Sequence, residues 1–316
     1  MKRRANNAIG VDMKPIVTIG ICVRNSEKMI GWAIESILKQ DFPHDQIQIV
    51  FVDDGSKDRT LQVIRNYTSK IDIKTEVIQT QWQGLGPARN LILEKAEGDF
   101  IIWVDADEIL TESYVRKQVE FMLKNPKVGI TTGIVKTIPH NLVLNLELVP
   151  GIVNHMNFGK PKSFIWKTAK MPGTGGATYR VEALKQVNGF NESLKGVGED
   201  QDVAQRIRAA GWLIQLNTAQ FYELHGGMTS FKDLWRKYLW YGYGSQKIYR
   251  HNRKLFSFPR MSPIAGIVAG FYYSLAAYRL LNDKRMFLLP AHYGFKMTAW
   301  MLGFIKGQFH YSRKKN

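Results

Sequence analysis

Apolar runs alternate with segments of helical spacing along the first 125 residues of the chain. Strands are predicted where apolar and β-branched residues cluster, at residues 16–24, 47–52, 75–79 and 100–104. Helices are predicted where apolar positions recur every three to four residues, at residues 28–39, 60–69, 87–95 and 114–124. Strands that alternate with helices of this length predict an α/β domain, Rossmann-like, with a mainly parallel sheet flanked by helices.

The pattern changes twice in the rest of the chain. Residues 139–178 are rich in Pro and Gly and have weak periodicity, so we expect long loops with one or two strands. A better helix covers residues 201–210 and ends at Gly211. After Gly226 and Gly227 the composition becomes aromatic, basic and apolar. We therefore divide the chain into a basic N-terminal tail, an α/β domain and a helical C-terminal region, at residues 1–14, 15–230 and 231–316.

Positive charge is concentrated in the C-terminal region. Residues 231–316 contain sixteen Lys/Arg and two Asp/Glu, a net charge of +14, whereas the preceding 230 residues contain 28 against 25. Such a segment attracts polyanions, either nucleic acid or anionic lipid headgroups. The sequence shows no zinc ligands and no paired aromatic-strand motif of a nucleic-acid binder, so we do not expect nucleic acid as a partner.

Two apolar stretches in this region, residues 263–278 and 286–305, indicate contact with a membrane. The first is shorter than the ~20 residues that span a bilayer, and the second is interrupted by Pro290, His292 and Lys296. A spanning hairpin would also carry a basic loop to the far side, against the positive-inside tendency. In-plane or shallowly inserted helices on an anionic surface are therefore favoured. The alternatives are an ordinary helical subdomain or oligomer interface, and two spanning helices.

Bulk composition limits the remaining classes. Apolar residues make up 45% of the chain, which excludes a disordered protein. The one cysteine, Cys22, excludes an internal disulfide and is compatible with a reducing compartment. The first fifteen residues are basic and polar, without the apolar segment of a signal peptide. We expect a folded protein at the cytoplasmic face of a membrane.

Acidic pairs follow two of the predicted strands. Asp53 and Asp54 end the second strand, and Asp105 and Asp107 follow the fourth. Ligands bind beyond the carboxyl ends of the strands in an open parallel sheet, although Asp and Gly also serve simply as turn residues there. Mg²⁺ and Mn²⁺ prefer oxygen ligands, and Mg²⁺ is commonly held by one or two carboxylates together with substrate phosphates. The pattern therefore favours a divalent metal with a diphosphate ligand.

The order of these and three further motifs resembles the family 2 glycosyltransferases. The motifs span roughly residues 15–226, and they lie at residues 18–25, 52–56 (VDDGS), 86–90 (GPARN), 105–107 (DAD), and 173–180 followed by 198–202 (GEDQD). The resemblance implies a GT-A fold and inverting transfer from a nucleoside-diphosphate sugar. Each motif alone is weak, and their order makes the match specific.

The resemblance also implies roles on the donor side. Asp53 and Asp54 match the pair of which one contacts the base and ribose, and which of the two does so stays open. Arg89 matches a basic residue near the nucleotide. Asp105 and Asp107 match the metal-and-diphosphate motif, and Asp107 is favoured as the direct metal ligand.

On the acceptor side, Asp200 matches the general base. Gly175 and Gly176 match the loop that lets an acceptor approach the backbone, and Glu199 is a weaker acceptor candidate. His225 matches a position where some members place a histidine near the metal. An inverting displacement needs one carboxylate to take the proton of the acceptor hydroxyl, and it needs no second nucleophile.

Many members of similar layout glycosylate lipid-linked acceptors at the cytoplasmic face, in polysaccharide or glycoprotein glycan assembly. The resemblance therefore implies a glycan or lipid-linked acceptor at the membrane surface. Transfer to a polyprenyl or dolichyl phosphate is the alternative acceptor. Two different classes compete with this interpretation: a metal-dependent phosphatase of the haloacid dehalogenase type, and a non-enzymatic binder of anionic surfaces. In the phosphatase motif a Thr or Val stands two residues after the second aspartate, where this chain has Ile109.

Overall fold

A sheet of nine strands forms the framework of the α/β domain in the computed structural model, which describes residues 14–137, 141–157, 164–165, 172–194, 196–224, 228–251 and 261–313. The strands are β1 (Val17–Val23), β2 (Ile47–Asp54), β3 (Lys74–Thr80), β4 (Phe100–Trp103), β5 (Glu108–Leu110), β6 (Val128–Thr137), β7 (Phe164–Ile165), β8 (Ala177–Arg180) and β9 (Leu213–Glu223). Their order is β3-β2-β1-β4-β8-β6-β9-β5, with β7 paired to β9.

Helices cover the sheet and continue into the C-terminal region. They are α1 (Ile30–Leu38), α2 (Thr60–Thr68), α3 (Leu85–Lys95), α4 (Tyr114–Lys124), α5 (Leu142–Asn157), α6 (Val181–Gln186), α7 (Glu199–Ala209), α8 (Phe231–His251), α9 (Pro263–Leu281) and α10 (Leu289–Arg313). The predicted strands and helices before residue 125, and the helix that ends near Gly211, all agree with the structure to within two residues.

The sheet has two halves of different character. Strands β3, β2, β1 and β4 are all parallel, as predicted. Beyond them β8 pairs antiparallel with both β4 and β6, β9 is parallel to β6, and β5 and β7 are antiparallel to β9. The sheet as a whole is therefore mixed, with parallel pairs in the first half and mainly antiparallel pairs in the second.

Both faces of β2, β1 and β4 are buried. Ile19, Ile21 and Phe51 pack on the side of α1, whereas Val50 and Val52 face α3 on the other side. A strand covered on both faces has no solvent-facing position, so its sequence is apolar without alternation. This is why the central strands are recognisable as mostly apolar runs.

The prediction of long loops over residues 139–178 is wrong for 16 of these 40 residues. Helix α5 occupies 16 residues of it, although Pro150 is unfavourable inside a helix. Leu146, Val149 and Val153 are buried against the C-terminal helices, and this packing overrides the local preference. The predicted strands of the segment are β7 and the start of β8.

The three C-terminal helices pack closely through glycines. A methyl group on Gly242 of α8 would collide with the carbonyl oxygen of Trp300 in α10, and one on Gly303 of α10 would collide with the carbonyl oxygen of Leu239 in α8. Gly270 brings α9 equally close to Pro290 at the start of α10, where an added Cβ would lie 2.5 Å from the Pro290 Cα. Helix backbones approach this closely only where side chains are absent.

A buried polar cluster ties α5 to α8 and α10. The carboxylate of Glu147 accepts hydrogen bonds from the hydroxyl of Tyr238, from His292 Nε2 at 2.9 Å and from Lys296 Nζ at 2.7 Å. Burial alone would raise the pKa of Glu147, but these contacts with His292 and Lys296 lower it to about 2. The cluster holds the C-terminal region on the α/β domain with an ionised carboxylate.

Candidate active site

The carboxyl ends of β2 and β4 flank the end of β1 at one edge of the sheet. Asp53 pairs with Val23 of β1, and the amide of Val104, just after β4, donates a hydrogen bond to the Gly20 oxygen of β1 at 3.1 Å. Adjacent strands lie about 5 Å apart, so the residues that follow β2 and β4 are roughly 10 Å apart across β1. The two acidic motifs therefore share one edge of the sheet, as the sequence predicts.

Asp53 and Asp54 are both buried, and they have different partners. Asp54 accepts hydrogen bonds from the backbone N–H groups of Gln83 at 2.6 Å and Gly84 at 2.8 Å, and so holds the loop before α3. Asp53 Oδ1 accepts the Ser56 N–H at 3.0 Å, whereas its buried Oδ2 has no hydrogen-bond partner among the described residues.

Gly55 makes the turn that follows these two aspartates. Its φ is +76°, and an added Cβ would lie 2.8 Å from the backbone nitrogen of Trp82. A side chain at this position would be strained in conformation and would also push the loop away. The glycine of the VDDGS motif is therefore required by the backbone.

Four carboxylates lie close together after β4. Asp105 and Asp107 occupy the turn into β5, Glu108 begins β5, and Glu223 stands opposite Glu108 in the β5–β9 pair. Glu108 Oε2 accepts the N–H groups of Asp105 at 3.0 Å and Gly176 at 3.1 Å. Glu108 thus connects the Asp-x-Asp turn to the glycine loop.

The electrostatics of this group favour a bound cation. Burial, with the charges of Asp107 and Glu223, raises the pKa of Asp105 to about 6 although Arg89 opposes the change. Burial and the charge of Asp105 raise the pKa of Glu108. Among the described residues no group of three or more His, Cys, Asp or Glu forms a ready cage for a metal. A hard divalent ion that takes one or two carboxylates and a substrate diphosphate fits this donor set.

The glycine loop before β8 lies against these carboxylates. A Cβ on Gly175 would collide with the Glu108 carboxylate and would lie 3.4 Å from Asp105 Oδ2. Gly176 has φ +61°, and its Cβ would lie 2.5 Å from the Phe221 ring. The structure thus places both predicted glycines beside the acidic group, and their contact with an acceptor stays a prediction.

Arg89 and Glu199 form a buried ion pair behind the site. The two side chains contact each other through Nη1 and Oε1 and are each 4% exposed, and Arg89 Nη2 donates to Thr174 Oγ1 at 2.6 Å. Their direct contacts with donor and acceptor stay predictions, and their burial argues against them. In the structure they connect α3, the glycine loop and the start of α7.

Asp200 is the second residue of α7 and lies next to this ion pair. Gly198 precedes the helix with φ +88°, a conformation that suits glycine and turns the chain into α7. A Cβ on Gly173 would lie 3.5 Å from Asp200 Oδ2, so Asp200 borders the glycine loop. Burial and the charge of Glu199 raise the pKa of Asp200 to about 6, against the effect of Arg89.

The remaining predicted residue, His225, lies outside the described residues. Sequence reasoning did not identify Glu108, Thr174 or Glu223. Glu108 had a usable signal, because it follows Asp107 directly and opens a short strand. Glu223 had none, since its place opposite Glu108 depends on the pairing of β5 with β9.

Comparison with known proteins gives a family match. A family model described as glycosyl transferase family 2 matches residues 18–187. The poly(ribitol-phosphate) beta-N-acetylglucosaminyltransferase TarS of Staphylococcus aureus is 38% identical over 98 residues, which are 31% of this chain and 17% of TarS. The putative teichuronic acid biosynthesis glycosyltransferase TuaG of Bacillus subtilis is 32% identical over 121 residues, 38% of this chain and 47% of TuaG. The chain thus spans less than half the length of these two relatives.

Solved structures share the fold. The mannosyltransferase PcManGT of Pyrobaculum calidifontis, solved with GDP-Man and Mn²⁺, superposes with a TM-score of 0.65 at 18% identity, over 98% of this chain and 91% of that one. Residues 1–349 of TarS, solved with UDP-GlcNAc, superpose with a TM-score of 0.52 at 21% identity, over 94% and 92%. The GT-A architecture expected from the motif order is confirmed.

Proposed function

The chain belongs to glycosyl transferase family 2, and from this premise we propose that it is an inverting enzyme. It transfers one sugar from a nucleoside-diphosphate donor to a hydroxyl of a glycan or lipid-linked acceptor at a membrane surface. The observation that carries the proposal is the placement of Asp105, Asp107 and Asp200 around one edge of the sheet. A phosphatase needs no separate carboxylate such as Asp200 to activate an acceptor.

On the donor side, Asp53 is the better candidate for the base and ribose. Both oxygens of Asp54 already accept backbone N–H groups, whereas Asp53 keeps one oxygen without a protein donor among the described residues. Asp107 and Asp105 would hold a divalent ion, Mg²⁺ or Mn²⁺. When bound, the ion neutralises the charge of the departing diphosphate.

On the acceptor side, Asp200 takes the proton. The acceptor hydroxyl oxygen forms a bond to the anomeric carbon, the bond from that carbon to the diphosphate oxygen breaks, and the hydroxyl proton moves to Asp200. A carboxylate of pKa about 6 is ionised at neutral pH and is a stronger base than an ordinary aspartate. The desolvated position of Asp200 therefore suits this role.

The relatives support a proposal for the substrate class. TarS is named for poly(ribitol-phosphate) and TuaG for teichuronic acid biosynthesis, so a cell-surface polysaccharide is the best candidate product. The test is a panel of nucleoside-diphosphate sugars incubated with membrane extract as acceptor source, with Mn²⁺, Mg²⁺ or chelator. We expect metal-dependent release of nucleoside diphosphate and labelled glycan with one donor class, and neither product from Asp200→Asn. Phosphate-monoester cleavage without sugar transfer would contradict the proposal.

Attachment to the membrane is the second part of the proposal. Of the described helices, α9 alone is long and apolar enough to cross a bilayer, and 22% of its most apolar stretch is buried. Ile264, Val268, Phe271 and Leu275 are between 55% and 76% exposed, and their spacing places them on one face of α9. A contiguous exposed apolar face is rare on a monomeric soluble protein.

Exposed basic residues lie at the end of α9, in the turn that follows it and on α10. Arg279, Lys284, Arg285 and Lys306 are all exposed, and each Lys or Arg near an anionic leaflet contributes about 1 kcal/mol of attraction. We therefore propose that α9 lies in the plane of the cytoplasmic leaflet, with its apolar face in the lipid and these cations at the headgroups.

Vesicle flotation tests this placement. The wild-type chain should float with phosphatidylglycerol vesicles and less with phosphatidylcholine. A Val268→Glu/Phe271→Glu variant should bind at least about tenfold more weakly, because two charges would enter the apolar layer. The matched control is Leu123→Glu, which changes an equally exposed leucine of α4 (60% exposed) outside the face. Equal flotation of all three proteins would exclude α9 as the contact surface.

A further inference from the structure

Helix α8 of the C-terminal region packs directly on the segment that leads into α7. An added Cβ on Gly196 would lie 3.0 Å from the ring of Trp240, and one on Gly244 would collide with the side chain of Val197. Gly196 stands four residues before Asp200. The C-terminal region therefore packs on the segment that precedes the proposed base.

Two adjacent aromatic residues of α8 lie at this contact or next to it. The rings of Trp240 and Tyr241 lie 5.5 Å apart at an angle of 36°. Trp240 is 47% exposed although its ring edge touches Gly196. One side of the indole therefore packs on the segment before α7, and part of its surface stays open to solvent.

Tyr241 is half-buried and close to the acidic site. Burial raises the pKa of its hydroxyl, and the charges of Glu223, Asp200, Glu147 and Asp105 raise it further. Three of these carboxylates, those of Glu223, Asp200 and Asp105, belong to the site described above. A tyrosine hydroxyl is protonated at neutral pH even at its ordinary pKa, so it keeps a hydrogen to donate.

We propose that Trp240 and Tyr241 form the acceptor subsite, a conclusion that rests on the proposed function. The indole would stack on the apolar face of the acceptor sugar, and the Tyr241 hydroxyl would hydrogen-bond a neighbouring sugar oxygen. Aromatic rings with one polar tip suit such ligands, because a sugar presents both C–H faces and hydroxyl groups. The acceptor hydroxyl is then held between α8 and Asp200.

The main alternative for Trp240 is anchorage at the membrane interface, where tryptophan is also common. The packing favours the acceptor, because α8 contacts the segment before α7. Most exposed apolar residues of the C-terminal region instead lie on α9 and α10, and α10 packs against both α8 and α9. The same arrangement connects membrane binding with acceptor binding: a lipid-linked acceptor that leaves the bilayer near α9 would meet α8 beside the base.

Kinetics with soluble acceptors test the subsite. Octyl glycosides of glucose, galactose, mannose and N-acetylglucosamine serve as probes, with the donor selected by the panel. Trp240→Ala should raise the acceptor KM at least tenfold, Tyr241→Phe about threefold to tenfold, and Trp240→Phe less than threefold, while the donor KM changes less than twofold. Trp32→Ala is the matched control, since Trp32 is 53% exposed on α1 and should leave both KM values unchanged. Thermal midpoints of all variants verify folding, and Trp240→Phe remains informative if the alanine variant is unstable.

Each other outcome refutes the subsite. Equal acceptor KM values for Trp240→Ala, Trp240→Phe and Trp32→Ala would remove Trp240 from the site. Loss of vesicle flotation by Trp240→Ala with an unchanged acceptor KM would assign Trp240 to the lipid. A wild-type chain that releases no nucleoside diphosphate with any donor or acceptor would instead refute the proposed function itself.

Discussion

Replacing Asp200 by asparagine should abolish transfer and at the same time stabilise the protein. The pKa of Asp200 is raised from 3.8 to about 6, mainly by burial. A difference of one pH unit corresponds to about 1.4 kcal/mol, so an ionised Asp200 costs the fold about 3 kcal/mol above pH 6. Because the carboxylate is only partly buried, water screens part of this cost, and we expect about 2 kcal/mol. For a chain of this size that is a rise of about 3 °C in the melting temperature.

The raised pKa of Asp200 determines how the stability difference between the wild type and Asp200→Asn changes with pH. A carboxyl whose pKa is higher in the folded state stabilises the fold when it is protonated, and this stability is lost as the pH rises from about 4 to about 6. The wild type should therefore match Asp200→Asn near pH 4 and be less stable at pH 6 and above. In activity, kcat/KM of the wild type should fall as the pH drops below about 6, since the base is then protonated.

The assay is thermal unfolding of the metal-free proteins between pH 4 and pH 8. Asp202→Asn is the matched control, because Asp202 lies in the same first turn of α7 but pairs with Arg206 at 2.7 Å. It should lose about 0.5 kcal/mol, the usual value of such a pair on a helix. The reasoning is refuted if Asp200→Asn is no more stable than the wild type at pH 7, or if its advantage persists unchanged at pH 4.

Three further predictions concern the rest of the molecule. Arg89→Met should lower the free energy of unfolding, measured in urea, by about 3–5 kcal/mol, because it leaves Glu199 buried without its ion-pair partner. The double variant with Glu199→Gln should recover most of this loss. Equal stability of the single and double variants would contradict the prediction. Gly303→Ala should lower stability by about 1–3 kcal/mol, because the added methyl group would collide with a backbone oxygen of α8. Gly294→Ala should lower stability far less, because its methyl group would meet only a side chain of α9, at 2.9 Å. Equal losses would argue against the close helix packing. Asp107→Ala should weaken nucleoside-diphosphate binding by at least about tenfold in calorimetry with Mn²⁺ and leave it unchanged in chelator, and full Mn²⁺-dependent binding would exclude Asp107 as a ligand.

Much of the parallel half could be predicted from the sequence because its signals are local. The runs that became β1 and β2 are apolar on both faces, and α2 and α4 begin and end within one residue of their predicted limits. The shared position of the two acidic motifs could also be predicted from the sequence, since the carboxyl ends of parallel strands must share one edge of a sheet.

Helix α5 shows where local signals are insufficient. The segment contains Pro150 and Gly151, which predict a loop, yet residues from α9 and the start of α10 bury its apolar side. The contacts lie more than 120 residues further along the chain, and no window of sequence contains both partners. Tertiary packing therefore decided this helix.

The chain by itself determined the elements of the α/β core, the acidic residues at the sheet edge and the basic character of the last 86 residues, because each depends on neighbours within a few positions. Only the tertiary structure decided that Glu108 and Glu223 face each other, that Arg89 is paired with Glu199 and that α8 brings Trp240 beside the segment before Asp200. These are contacts between segments that are far apart in the sequence, and their burial determines which charged side chains have an oppositely charged partner. The reactivity of the site depends on that compensation, so the sequence names the chemical groups and the packing decides their state.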